Sequence, residues 1–597
     1  MKKFIVLVLS LAMVLSLAAC GNSNSSSNDS NNTTTAGNTN SETTTAGAGS
    51  AKEESDAKAE VVKANEGFIS YLDFNTDEIL DTSRKSTANS DERYPEITLA
   101  SNNEIKTWTA WQSGRGRHEM VLGGVWEPLA YNIEIDGEAY NIEPCLAEDI
   151  HWEDESNKTH LIVKIYDYIK DFDGNEIKAS DVKFSIEQAM VANIAGEYAQ
   201  VDHVEIIDDY TVDIVWKAPC ESIIPETTIL FTAIASEKAF NEHDFVSDPC
   251  GTGTYYLDSQ VVGSRYVLKR NENYWQKEEL CCEAAKGRGN VDTINIEYIG
   301  DRSMCYISFE NGEVFNYEID ATNLPDFMEG GKHYGEYTVM FEQNSGRYGV
   351  SFNVHGDAPV SAVNDKNFRE AVFYAIDGEG IINAIGQYGY YQVHGEAGAT
   401  AIGYNPEWDT ITDNYYSIYD PDKAKELLAQ TDYKGEELTF ICQSGQKAGE
   451  TAVQIIQQEL AAVGINVKLL PLEMSVLNTY KNDFTSWDMW FFMWAGDDIG
   501  QQWARQLDIA SYETGSNESG MNEENFPGFQ EKIEAVQKDT RTPELIDEIQ
   551  NFLVDNAIQY SIFGEINYWA LNKDLGRLRF VSNHKDKVWG ACDYYLD

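Results

Sequence analysis

KDFDGNEIKASDVKFSIEQA, Lys170 to Ala189, carries a complete local folding instruction. Glycine accepts backbone angles that side chains resist, so Asp173-Gly174 reads as a tight turn. Upstream, from His151, the chain alternates as a half-buried strand through Leu161, Val163 and Ile165. Downstream, Ser180 is placed to cap a helix and Asp181 to complement its positive end. The stretch therefore reads as strand, turn, strand, helix.

Towards the C-terminus, Phe368 to Ile385 carries Ala371, Val372, Ala375 and Ile376 at helical spacing, before a Gly- and Tyr-rich segment. Behind Asp420-Pro421, Ala424 to Leu428 continues as another helix. A helix from Ala448 to Val463 stops at Gly464, and Ile465 to Leu470 follows at once as an apolar strand. Helix, glycine and buried strand in that order mark an α/β unit. No internal repeat is evident.

Towards the N-terminus, Lys2 and Lys3 precede an apolar run from Phe4 to Leu17 and then Leu17-Ala18-Ala19-Cys20. That is the order of a secretory signal peptide, residues 1–19, and the run is too short for a membrane span of about 20 residues. Cysteine at the cleavage position resembles the lipobox of bacterial lipoproteins. It implies a lipid on Cys20 and a chain held on the outer face of the bacterial cell membrane, since two acyl chains suffice for stable anchoring. Residues 20–93 then comprise that cysteine and a tether whose Ser-, Asn- and Thr-rich part cannot bury enough surface to offset ordering entropy. No later stretch is apolar and long enough to cross a bilayer.

The chain has 99 acidic and 44 basic residues, a formal charge of -55. No basic stripe suits nucleic acid, and the acidity reads as a solubility device. Hydrophobic residues, 42% of the total, are enough for sizeable cores from about Tyr94 onwards. Apart from Cys20, the cysteines Cys145, Cys220, Cys250, Cys281, Cys282, Cys305, Cys442 and Cys592 are too few to form a scaffold; Cys220 and Cys250 are the best candidate pair. The histidines are scattered, the vicinal Cys281-Cys282 lacks metal-ligand spacing, and no metal site is expected. HExxH, GxSxG and P-loop motifs are absent, which argues against a secreted hydrolase.

Five segments extend the opening stretch across the chain. They are VWEPLAYNI (Val125 to Ile133), the Lys170 to Ala189 stretch itself, CGTGTYYLDSQVVGSRYVLKRNENYW (Cys250 to Trp275), NFREAVFYAIDGEGII (Asn367 to Ile382) and YDPDKAKELLA (Tyr419 to Ala429). In this order they resemble the extracellular solute-binding proteins of ABC importers, family 5 or cluster C, which carry dipeptides, oligopeptides, nickel complexes and sometimes oligosaccharides. Thr254 stands where that family usually has proline. The resemblance implies an α/β fold of the periplasmic-binding-protein type II kind, two lobes with a crossover hinge and an extra subdomain in lobe I. Lobe I would use residues 94–300 and return at 560–597, and lobe II would use 301–559. Gly251 and Gly253 are expected to adopt angles other residues resist, and Arg270, Asn273 and Trp275 to brace a lobe.

WDMWFFMWAGDDIGQQW, Trp487 to Trp503, resembles the family segment in which an aspartate of a W-x-G-D pattern pairs with the ligand's amine. That implies a ligand contact at Asp497, with Trp494, Ala495 and Gly496 beside it, because a desolvated ammonium needs a carboxylate. The pattern then breaks: Asp498 is an extra acid and Ile499-Gly500-Gln501 replaces a second Asp-Pro. Two aspartates on a solvated loop are the plainer alternative. Trp108 and Trp111 lie in segments that form cleft walls in the family, although buried aromatics usually belong to cores. His118, Asn353 and Arg369 read as structural.

The implied function is capture of di- to oligopeptides between closing lobes and delivery to the transmembrane subunits of an ABC permease. The resemblance implies a monomer that is not an enzyme and needs no cofactor. The same fold binding oligosaccharides is the alternative. A secreted hydrolase or a non-transporting surface sensor would be a different class of answer.

Overall fold

The computed structural model describes most of the chain between Phe68 and Tyr594. Residues 1–67, 71–92, 103, 112–123, 136–137, 193–197, 199, 220–227, 230–231, 277–290, 387, 400, 402, 495–498, 508–517, 539–542, 581–586 and 595–597 are outside the described residues. Cys20, the signal peptide, most of the tether, His118 and Cys220 are among them. Cys250, the proposed partner of Cys220, is a free buried thiol. Among the described residues no helix is long and apolar enough to cross a membrane.

The N-terminal half builds two four-stranded sheets, beside a hairpin of Ala130–Ile135 with Glu138–Pro144. Strand β1 (Tyr94–Ser101) is followed by a four-stranded unit of β2 (Ala147–Trp152), β3 (His160–Ile165), helix α1 (Ala179–Ala192), β4 (Val201–Ile206) and β5 (Thr211–Trp216). Its strands run antiparallel in the order β2-β3-β5-β4. Then β6 (Tyr255–Val261), β7 (Arg265–Arg270) and β8 (Val291–Tyr298) return to β1 in the order β1-β8-β7-β6, with β1 parallel to β8. Each sheet has its own hydrophobic core, the first around Leu161, Val163 and Ile165, the second around Trp108, Tyr266 and Ile294.

The opening stretch forms the expected turn and helix, but the strand expected between them is reduced to one isolated bridge, Lys170 to Glu176. Gly174 has φ +82° and donates its N–H to the Asp171 carbonyl at 3.0 Å, closing the turn. Helix α1 starts at Ala179, two residues before the Asp181 start that would make Ser180 its cap. The buried Asp181 carboxylate instead accepts the N–H groups of Lys178 (2.8 Å) and Glu237 (2.9 Å), tying the helix start to a distant segment.

Gly251 and Gly253 correct the expectation about backbone angles: neither has positive φ. Glycine is required there because a Cβ would sit 1.9 Å from the Val125 carbonyl oxygen at Gly251 and 1.5 Å from that of Gly124 at Gly253. The same interlock places Glu127 of VWEPLAYNI under Tyr274 and Trp275, whose O–H and Nε1–H both donate to its carboxylate. Burial pushes the Glu127 carboxyl up to about 7.

The C-terminal half is organised by an eight-stranded sheet. Its main path uses β9 (Asn316–Ile319), β10 (Thr338–Phe352), β11 (Glu437–Gln443), β12 (Asn466–Leu472), β13 (Met489–Trp494) and β14 (Gln559–Leu571), in the order β9-β14-β10-β13-β11-β12. The long strands β10 and β14 are antiparallel neighbours that pass from one core to the next. Tyr348, Val350, Ile562 and Phe563 join the large C-terminal core, whereas Met340, Trp569 and Leu571 pack into the core of the β1 sheet. The ladder breaks register between these ends, at Gln343/Arg347.

The predicted helix over 368–385 is two helices, α2 (Lys366–Tyr374) and α3 (Gly378–Gly386). Asp377 causes the break, its carboxylate accepting the N–H of Gly380 at 2.9 Å and so capping the second helix. Helix α4 (Pro421–Leu428) is capped by Asp420, and α5 (Lys447–Ala462) ends before Gly464 at φ +93°. Arg369 donates to the carbonyls of Val363, Asn556 and Ala557, and Asn353 to those of Phe484 and Trp487, both as structural braces.

Candidate functional site

Strands β11, β12 and β13 are parallel, but the chain visits them out of spatial order. From β11 it crosses outward through α5 to β12, then back past β11 through α6 (Met474–Tyr480) to β13. The two connections leave a crevice at the carboxyl ends of β11 and β13, the position where open α/β sheets take ligands. A cavity of about 290 Å³ lies there, lined by Gln443 at the end of β11 and Trp494 at the end of β13. Gln446, Asn478, Lys481, Trp490 and Glu518 also line it. Its volume suits one side chain or one sugar ring rather than a whole oligopeptide.

Period-2 alternation along β13 supplies the tryptophan wall. Met489 and Phe491 face the large core, whereas Trp490 and Phe492 face a smaller core with Ile441 and Leu477, against which Trp494 packs. The Trp490 and Trp494 rings meet edge to face, 6.1 Å between centroids. The Lys481 ammonium stands 5.2 Å from the Trp490 ring centre and 5.8 Å from that of Trp494, and forms an ion pair with Glu518. Burial raises the Glu518 carboxyl to about 7 against the opposing pull of Lys481. Among the described residues, Trp490 Nε1, Trp494 Nε1 and Glu518 Oε2 have no hydrogen-bond partner.

Helix α7 (Ile499–Leu507) follows β13 after residues 495–498. It is anchored by Arg347, fully buried at the register break of β10. Arg347 donates to Gln502 and to Gln506 (3.1 Å) on α7 and to Ser561 (2.9 Å) on β14, and faces Glu396 at 3.4 Å. Glu396 is also fully buried and accepts from Tyr416 and Ser561. The guanidinium thus joins the two long crossing strands to the helix that begins just beyond the W-x-G-D pattern.

The sequence-derived candidates fall into three groups. Trp494 lines the cavity. Ala495, Gly496, Asp497 and Asp498 are outside the described residues. Trp108 and Trp111 lie in the core of the β1 sheet, at 0% and 5% exposure. Trp108 donates to Gln260 and meets Tyr266 edge to face, and Trp111 donates to the Ala233 carbonyl among Phe184, Phe240 and Phe245. Both rings are satisfied where they are, and neither borders the cavity. Sequence reasoning missed Lys481, Glu518 and Trp490; the alternation of WDMWFFMW puts Trp490 on the same face as Trp494 and was the available signal for it.

Residues 141–511 match the model of the bacterial extracellular solute-binding proteins, family 5. The oligopeptide-binding protein AppA of Bacillus subtilis is 23% identical over 419 residues, covering 62% of this chain and 72% of AppA. The dipeptide-binding protein of Escherichia coli is 24% identical over 449 residues, covering 69% and 79%. The crystal structure of the ABC transporter substrate-binding protein CtaP from Listeria monocytogenes superposes with a TM-score of 0.69 at 18% identity, over 84% of this chain and all of CtaP. Its sheets and long crossing strands therefore form a type II periplasmic-binding-protein fold, and the chain belongs to the bacterial extracellular solute-binding proteins of family 5.

Proposed function

We propose that this chain is the lipid-anchored peptide receptor of an ABC importer, closing two lobes over a di- to oligopeptide and passing it to a membrane permease. The observation that carries the reading is the switch-point cavity, whose tryptophan wall is set with the amide and charged side chains of Gln443, Gln446, Asn478, Lys481 and Glu518, a lining suited to an amphipathic solute. Two relatives, an oligopeptide-binding and a dipeptide-binding protein, favour peptide as the solute. In this reading the cavity receives one peptide side chain. Asp497, three residues beyond Trp494, takes the terminal amine, with Asp498 beside it. Lobe I comprises residues 94–300 and 560–597 and lobe II 301–559, with β10 and β14 as the crossings. Cys20 carries the lipid.

Thermal unfolding of the full chain against a panel of di- to hexapeptides and oligosaccharides tests the ligand class, since ligand at about 100 times its Kd adds roughly 2.7 kcal/mol. Peptides should raise Tm, and Asp497→Asn should weaken free-amine peptides while sparing N-acetylated ones. Equal affinities across both proteins and all peptides remove Asp497 from the site. A second reading, an oligosaccharide ligand, is favoured by the side-chain amides of Gln443, Gln446 and Asn478 beside two tryptophans. A shift with glycans alone would select it.

A further inference from the structure

A second chemical cluster lies outside the cavity, in the opening stretch itself. Asp173 of the turn, His243 at the end of the helix Glu237–Glu242, and Cys250 just before the Gly251/Gly253 interlock come from three separate segments. One ligand atom from each lies within 4.8 Å of the other two. The histidine is already oriented: its Nδ1 is 2.7 Å from Asp248 Oδ2 and its Nε2 is 2.8 Å from Asp173 Oδ2. Cys250 is free and buried.

We propose that Asp173, His243 and Cys250 bind one divalent transition-metal ion of the zinc and cobalt class. Thiolate, imidazole and carboxylate together suit that class better than magnesium or calcium, which take oxygen ligands. Bonds of about 2.0–2.3 Å bring the three donors onto one ion after a small contraction of the cluster, with water as fourth ligand. Asp248 on the far ring nitrogen is the carboxylate that commonly holds a metal-bound histidine in the required tautomer. The charge balances: the Cys250 thiol and the His243 Nε2–H each release a proton to solvent, so that thiolate and Asp173 carboxylate neutralise the dication and the imidazole, now neutral, offers its Nε2 lone pair. The ion would staple the turn to the segment that carries the glycine interlock, a stabilising role separate from solute capture. Spacing in the sequence conceals it, because 70 residues separate Asp173 from His243.

Cobalt(II) titration of the chelator-treated full chain is the test. One equivalent should produce a thiolate-to-cobalt charge-transfer band and the visible bands of a four-coordinate ion. Cys250→Ser should abolish the charge-transfer band. Asp248→Asn should keep it while weakening affinity about 10- to 100-fold. The double variant Cys281→Ser, Cys282→Ser should leave both band and affinity unchanged. Absence of a band in the wild type, or a band that survives Cys250→Ser, overturns the site. Should Cys250→Ser fail to fold, alkylation of the wild type read by mass spectrometry decides: one equivalent of zinc protects Cys250 if the site exists, and equal labelling with and without zinc refutes it.

Discussion

Two buried glutamates, Glu127 and Glu518, have carboxyls raised to about 7 by burial, yet they sit in opposite kinds of surroundings. Glu127 is enclosed by the N-terminal interlock and has both oxygens engaged, one by Tyr274 and one by Trp275. Glu518, in the cavity wall, has Lys481 on one oxygen and no partner among the described residues on the other. Desolvation alone does not separate structure from function here. What separates them is whether the polar atoms around the buried charge are used up.

The largest test removes the satisfied group. Glu127→Leu removes the carboxylate that accepts from the Tyr274 hydroxyl and the Trp275 N–H, two buried hydrogen bonds whose loss costs about 1–3 kcal/mol each. Chemical denaturation should show a loss of about 2–5 kcal/mol, and a loss below about 1 kcal/mol would break the contrast. A pH series comes next. With the unfolded carboxyl near 4.5 and the folded one near 7, the folded protein holds a proton that the unfolded chain has released between those values. The Glu127 contribution is therefore complete below about pH 4.5 and is lost as pH rises to 7, on the order of 2–3 kcal/mol. Glu127→Gln should flatten that part of the stability profile, and an unchanged slope would refute the assignment. The smallest effect belongs to the cavity. Trp494→Phe keeps a ring but trims the cavity wall, so stability should change by less than about 1 kcal/mol while affinity for peptide falls about tenfold, about 1.4 kcal/mol of lost aromatic contact. Calorimetric titration beside a melting curve separates the two.

The comparison also explains what the sequence could reveal. Gly174, Asp181 and Asp420 answer local demands for a turn or a helix start, and such demands leave marks at fixed spacing. The break at Asp377 was hidden because the apolar pattern runs through it and only the capping carboxylate ends the helix. The cavity is harder still, since Gln443, Lys481, Trp490 and Glu518 meet only once β11, α6 and β13 are wound around the switch point. Trp108 and Trp111 show another limit: the segment an aromatic occupies does not say which way its ring turns, and both of these turn into the β1-sheet core.

The pairing of β10 with β14 has a mechanical consequence. The passages between the β1-sheet core and the large C-terminal core lie side by side as central neighbours of the eight-stranded sheet, with their shared ladder interrupted at Gln343/Arg347. In the proposed closure, movement carried by this adjacent pair would be a swing about one axis, and the buried Arg347 at the ladder's interruption would hold β10, β14 and the helix beyond β13 together as it turned.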